Sequence, residues 1–99
     1  MSRLHKHQLD KLLSRPDAEL DLHGLTRAEA RPELEQFLDE AERRGWRNVR
    51  IIVGKGWNSP DGQGILPGFV TSILEDRGYA YSRARQNEGG SGVLVVTIP

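Results

Sequence analysis

Between Leu20 and Val53 two short apolar runs flank one long amphipathic segment, and this arrangement restricts the fold more than any other feature of the chain. The first run is Leu20-Asp21-Leu22-His23-Gly24. Side chains two apart on a strand leave by the same face, so Asp21 and His23 share one side while Leu20 and Leu22 turn to the other and pack on a core. Gly24 permits a sharp turn. The segment from Thr26 to Arg44 then repeats Ala30, Leu34, Phe37, Leu38 and Ala41 at three- and four-residue spacing, the stripe of a helix packed on one side. Thr26-Arg27-Ala28-Glu29 has the form of a capping box, and Gly45 is the expected stop. Pro32 lies past the first turn and predicts a bend or a slightly later start. The second run, Asn48 to Val53, ends wholly apolar and suits a buried strand. Strand, helix and strand in that order form a right-handed parallel crossover. The carboxyl ends of both strands then share one edge of a sheet, where open α/β sheets hold their ligands.

The remainder repeats the theme. Ile65, Leu66, Phe69, Val70, Ile73 and Leu74 mark a second helix, with Pro67 in its first turn and Gly78 as its stop. Its amino terminus, with free amides and partial positive charge, points to the same edge and favours phosphate. Tyr79 to Arg85 alternates as a third strand, and Val93 to Ile98 is a strongly apolar last one. Two glycine-rich stretches lie between these elements. Gly54-Lys55-Gly56-Trp57 opens a connection running to Gly64, long for a compact domain, and such loops are commonly functional. Glu88-Gly89-Gly90-Ser91-Gly92 precedes the last strand. A third strand parallel to the first two brings both stretches to the edge that holds Asp21 and His23.

Ninety-nine residues fit one small domain. No apolar run is long enough to span a bilayer and the start lacks a secretory pattern, so a cytoplasmic protein with no membrane partner is expected. Without cysteine, disulfides and thiolate zinc sites are excluded, and a metal would need oxygen and imidazole ligands. Net charge is zero, yet Arg43, Arg44, Arg47, Arg50 and Lys55 follow an acidic helix as a block, and Arg77, Arg83 and Arg85 come later. A neutral total can conceal a basic edge of the sort nucleic acid requires, the alternative being ordinary solvated surface charge. Lys55 suits phosphate, the glycine amides permit close approach, and Trp57 offers a face on which a base can stack. The alternative for Trp57 is burial against the core. At the start, Leu4, Leu9, Leu12 and Leu13 among His5, Lys6, His7 and Lys11 form a short amphipathic segment stopped by Pro16. Residues 1–18 are accordingly read as a partly helical extension and 19–99 as the domain.

Leu20-Asp21-Leu22-His23-Gly24, then Gly54-Lys55-Gly56, then Gly89-Gly90-Ser91-Gly92, in this order, resemble the Smr (small MutS-related) domain over roughly residues 19 to 98. The resemblance implies a two-layer α/β sandwich of order βαβαββ, with a four-stranded mixed sheet like that of the carboxyl-terminal domain of translation initiation factor three. It also implies nucleic-acid binding and, in many members, metal-assisted endonuclease activity on DNA or RNA. The family's motifs carry over to Asp21 and His23, and to Gly54, Lys55 and Gly56. One residue departs from the pattern: the family often has His or Thr before that glycine, where this chain has Val53. The expected function is an endonuclease with Asp21 and His23 as catalytic residues, and with Lys55, Gly54, Gly56, Trp57, Arg83, Arg85, Gly89 and Gly90 binding nucleic acid. Asp21 is also the candidate ligand for Mg²⁺ or Mn²⁺. The alternative is a non-catalytic module that binds nucleic acid or a ribosome-associated partner. With no coiled coil in evidence, a monomer is expected.

Overall fold

The structure is a computed structural model that describes residues 15–54, 65–84 and 92–99. Its elements run β1 (Ala18–Asp21), α1 (Arg27–Arg44), β2 (Asn48–Ile52), α2 (Ile65–Asp76), β3 (Ala80–Arg83) and β4 (Val93–Thr97). The four strands form one sheet in the order β1-β2-β4-β3. β1 and β2 are parallel, and β4 is antiparallel to both its neighbours, so β3 runs in the same direction as the first two strands. This is the mixed sheet and the α/β sandwich anticipated from the sequence. The carboxyl ends of β1, β2 and β3 meet the start of β4 along one edge.

Local chemistry sets the element boundaries. The Thr26 hydroxyl accepts the Glu29 amide at 3.1 Å and the Glu29 carboxylate accepts the Thr26 amide at 2.9 Å, closing the capping box. The helix therefore begins at Arg27, and Pro32 lies inside it without delaying its start. At the other end Gly45 adopts φ 72°, which lets Trp46 N–H reach the Ala41 carbonyl at 2.9 Å. That left-handed residue followed by a bond back across the last turn is how helices commonly stop. β1 is displaced from the expected run: it starts at Ala18 and ends at Asp21, with one further ladder bond from Leu22 N–H to the Ile52 carbonyl at 2.8 Å. β3 is Ala80–Arg83 and starts one residue after the expected Tyr79, because the Tyr79 amide donates to the Leu74 carbonyl at the end of α2 and is taken from the ladder; Arg85 lies outside the described residues.

One apolar layer lies between the helices and the sheet. Ala30, Leu34, Leu38 and Ala41 of α1 and Leu66, Val70, Ile73 and Leu74 of α2 join Leu22, Val49, Ile51, Leu94, Val96 and Ile98 in a single buried cluster. Leu20, set at the outer edge in β1, is only partly buried against it. Strand alternation sends Glu19, Asp21, Arg50, Ile52 and Val95 to the other face of the sheet. At the opposite end from the glycine edge, the Asp17 carboxylate accepts the amides of Arg47 and Asn48 at 2.8 and 3.0 Å. These bonds tie the entry of β1 to the entry of β2 and set the register in which Asp21 lies opposite Ile52.

Candidate functional site

The carboxyl end of β1 carries the acid and the imidazole. Asp21 is the last strand residue, and the chain turns through His23 and Gly24, the latter at φ 80°, a value that favours glycine. The turn folds His23 back onto Asp21. One carboxylate oxygen, Oδ1, accepts the His23 backbone N–H at 3.0 Å and lies 2.5 Å from His23 Nδ1. These two bonds, the side-chain one first, hold the Asp21 carboxyl below its usual range. A carboxylate on Nδ1 fixes the ring orientation and the tautomer with hydrogen on Nδ1, which leaves the Nε2 lone pair free to take a proton. The pair stands in water, with the His23 side chain 65% exposed and that of Asp21 50% exposed.

The second and third motifs meet this pair through backbone. Gly54, at φ 81°, follows β2, and a Cβ built on it would lie 3.5 Å from His23 Cβ. Gly92, just before β4, has its carbonyl between the amides of Val53 and Gly54, which donate to it at 2.9 and 3.1 Å. A Cβ on Gly92 would meet the Gly54 carbonyl carbon at 3.1 Å. The sheet thus sets His23, Gly54 and Gly92 in a row, with Gly54 and Gly92 hydrogen-bonded and His23 beside Gly54. Gly92 was outside the candidate set read from the sequence. Its position immediately before the last apolar strand was the available signal, since an antiparallel strand inserted beside β2 must start against the end of β2.

Arg83 is placed differently. It ends β3 at the same edge, but β3 is separated from β1 by two strands, roughly 14 Å at ~4.8 Å per step. Its register partner is Leu94, whose side chain lies in the helix-facing core, so Arg83 leaves by the face opposite to Asp21. It does not join the Asp21–His23 pair. Val53 is 3% exposed and turns into the core, so no polar group rises from the position before Gly54. Lys55, Gly56, Trp57, Arg85, Gly89 and Gly90 lie outside the described residues.

Among the described residues no cluster of three or more His, Asp or Glu side chains is placed to hold a metal ion. Asp21 alone offers an oxygen here, and its Oδ1 is already engaged twice. A Mg²⁺ or Mn²⁺ ion at this edge would take an Asp21 carboxylate oxygen, with water and phosphate oxygens completing its shell.

A two-layer sandwich that presents an acid–imidazole pair beside two touching glycines, at the carboxyl ends of its parallel strands, belongs to the small α/β domains that receive ligands at a strand edge. The chain belongs to the Smr domain family, whose model matches residues 20–99. It is 35% identical over 96 residues to the endonuclease MutS2 of Halothermothrix orenii, covering 95% of this chain and 11% of that protein. It is 37% identical over 92 residues to the endonuclease MutS2 of Thermus thermophilus, covering 88% of this chain and 12% of the relative. The chain thus spans about a tenth of these curated relatives. Among solved structures, the Smr domain of Thermus thermophilus MutS2 superposes with TM-score 0.71 at 36% identity, over 83% of this chain and 98% of that one. YdaL, a stand-alone small MutS-related protein from Escherichia coli, superposes with TM-score 0.77 at 33% identity, over 99% of this chain and 79% of that one. No helix among the described residues is long and apolar enough to cross a membrane.

Proposed function

We propose that the chain is a nucleic-acid phosphodiesterase acting as an endonuclease, with His23 as its proton-transfer group and Asp21 as the residue that orients it. The observation that carries this reading is the Asp21 Oδ1 to His23 Nδ1 contact of 2.5 Å at an exposed strand end. It fits the requirement of a general base whose outward nitrogen is within reach of solvent. In the reaction Nε2 takes a proton from water, or from the 2′-hydroxyl of an RNA, as that oxygen attacks phosphorus. The bond to the leaving oxygen breaks, and that oxygen takes up a proton. Negative charge built on the phosphoryl oxygens needs donors nearby, and the Gly54-Lys55-Gly56 stretch, which begins at the glycine beside His23, carries amides and a lysine. Relatives named as endonucleases support the same class of substrate.

A second reading has its own support. Val53, buried where the family often has His or Thr, leaves the His23 imidazole as the only proton-transfer group at the described edge. A module that grips nucleic acid without cutting it would need no more than this. The test is cleavage of labelled single-stranded RNA, duplex RNA and plasmid DNA by pure protein, with Mg²⁺, Mn²⁺ or chelator, beside Asp21→Ala and His23→Ala. Cleavage lost in folded variants that still bind supports the nuclease. Salt-sensitive binding with no cleavage in any metal supports the binding module.

A further inference from the structure

A groove runs between the outer edge of β1 and α1, at the far side of the sheet from β3. Leu20, Phe37, Glu33, Gln36 and Glu40 line it. The four α1 residues recur at i, i+3, i+4 and i+7 and so present one stripe along the helix. Both apolar residues are only partly buried, and β1 has no strand on its outer side. The groove holds about 280 Å³, small for an organic ligand, whose pockets are ~300 to 1,000 Å³. It suits apolar side chains from another segment. Its charge is acidic: Glu33 has no ion-pair partner among the described residues, and Glu40 is met only by Arg44 of its own helix at 2.8 Å.

We infer that residues 1–14 of the same chain dock in this groove. They lie outside the described region, and the chain they belong to enters the structure at Arg15, at the foot of the strand that forms the groove. Leu9, Leu12 and Leu13 have helical i, i+3, i+4 spacing, and Arg3, Lys6 and Lys11 outnumber the single acid Asp10. An apolar, basic segment thus meets an apolar, acidic groove. Distance permits it: Leu12 precedes Ala18 by six residues, which extended reach up to ~20 Å, while Leu20 is only two strand residues, ~7 Å, beyond Ala18. Pro16 removes the backbone donor that would carry a helix on into β1 and favours a change of direction there.

The chain has no cysteine, so a paired-cysteine experiment on the full chain is unambiguous. Leu12→Cys combined with Gln36→Cys, an exposed position lining the groove, is expected to close an intramolecular disulfide at least tenfold faster than Leu12→Cys with Glu19→Cys. Glu19 lies next to Leu20 but on the opposite sheet face, and is just as close to the segment's attachment. Glu33→Lys with Glu40→Lys is expected to slow closure, and Lys6→Glu with Lys11→Glu added to that pair to restore it. Equal closure rates for the two cysteine pairs, or a disulfide-linked dimer as the main product at dilute protein, overturn the inference. In the unsubstituted chain, NMR contacts between the Leu12 or Leu13 methyls and the Phe37 ring are expected as an independent readout, and their absence likewise overturns it.

Discussion

In the proposed reaction Asp21 orients His23 and Gly92 holds the glycine that lies beside it, and each of these two positions offers a distinct test. Asp21→Asn keeps an oxygen where Oδ1 accepts both the His23 backbone N–H and Nδ1, but removes the negative charge that stabilises the imidazolium formed as Nε2 takes a proton. Cleavage is expected to fall by about 10²- to 10⁴-fold with little change in nucleic-acid affinity, measured by single-turnover rates beside a binding titration. A merely structural Asp21 would shift the melting temperature and leave the rate of the folded fraction intact. Gly92 is the second test. Gly92→Ala puts a methyl 3.1 Å from the Gly54 carbonyl carbon, where backbone rather than a flexible side chain must move. Gly54 is in turn against His23, so the displacement is delivered to the imidazole. We expect Gly92→Ala to lower cleavage several-fold and to change the chemical shifts of His23, whereas Gly68→Ala, with nothing within 4 Å of its Cβ, leaves both unchanged.

The elements owe their positions to a few polar contacts that bracket the apolar layer. Thr26 is such a contact: Thr26→Ala removes the acceptor for the Glu29 amide and is expected to cost about 1 kcal/mol, a drop of ~4 to 8 °C in melting temperature for a domain this size. Asp17 is another, at the opposite end of the sheet. Its carboxyl is held below 3.8 by the amides of Asn48 first and Arg47 second. A depressed folded-state value means that the stability it contributes is fully present above the unfolded value and is lost as pH falls through the folded one. Acid unfolding below about pH 4 should therefore be shallower in Asp17→Asn than in the unsubstituted chain, followed by circular dichroism across the acid range. The helices and β4 were legible in the sequence because their period and their stops agree: capping box, Gly45 and Gly78 all lie where the stripe ends. The ends of β1 and β3 were not. β1 is paired on one side only, and its limit depends on the long-range bond from Leu22 to Ile52, which no local pattern encodes. The start of β3 is set by the stop of α2, where Tyr79 N–H reaches the Leu74 carbonyl past Gly78 as Trp46 does past Gly45.

At the scale of the whole molecule, the mixed sheet is what converts three separated motifs into one edge. The order β1-β2-β4-β3 inserts the last strand beside β2, and this alone sets Gly92 against Gly54. The sequence signalled that the motifs converge; it did not signal that β3 would be the outermost strand and carry Arg83 to the other face, since strand order depends on long-range pairing. The charge distribution has the same global character. A chain of zero net charge gains little from its overall field, so the nucleic-acid binding proposed above would draw on local cations. If Lys55, Arg83 and Arg85 each neutralise a phosphate, the slope of log affinity against log salt on single-stranded nucleic acid is about −2, at ~0.7 per phosphate. Arg83 tests how far the bound strand extends. It lies roughly 14 Å from β1, more than one nucleotide away, so Arg83→Ala is expected to make the slope shallower by about 0.7 on an oligonucleotide long enough to span the edge. On a dinucleotide it should change nothing. Binding isotherms at four or five salt concentrations for both lengths measure this directly, and an equal loss on the two lengths would bring the strand past Arg83 by a route other than along the edge from His23.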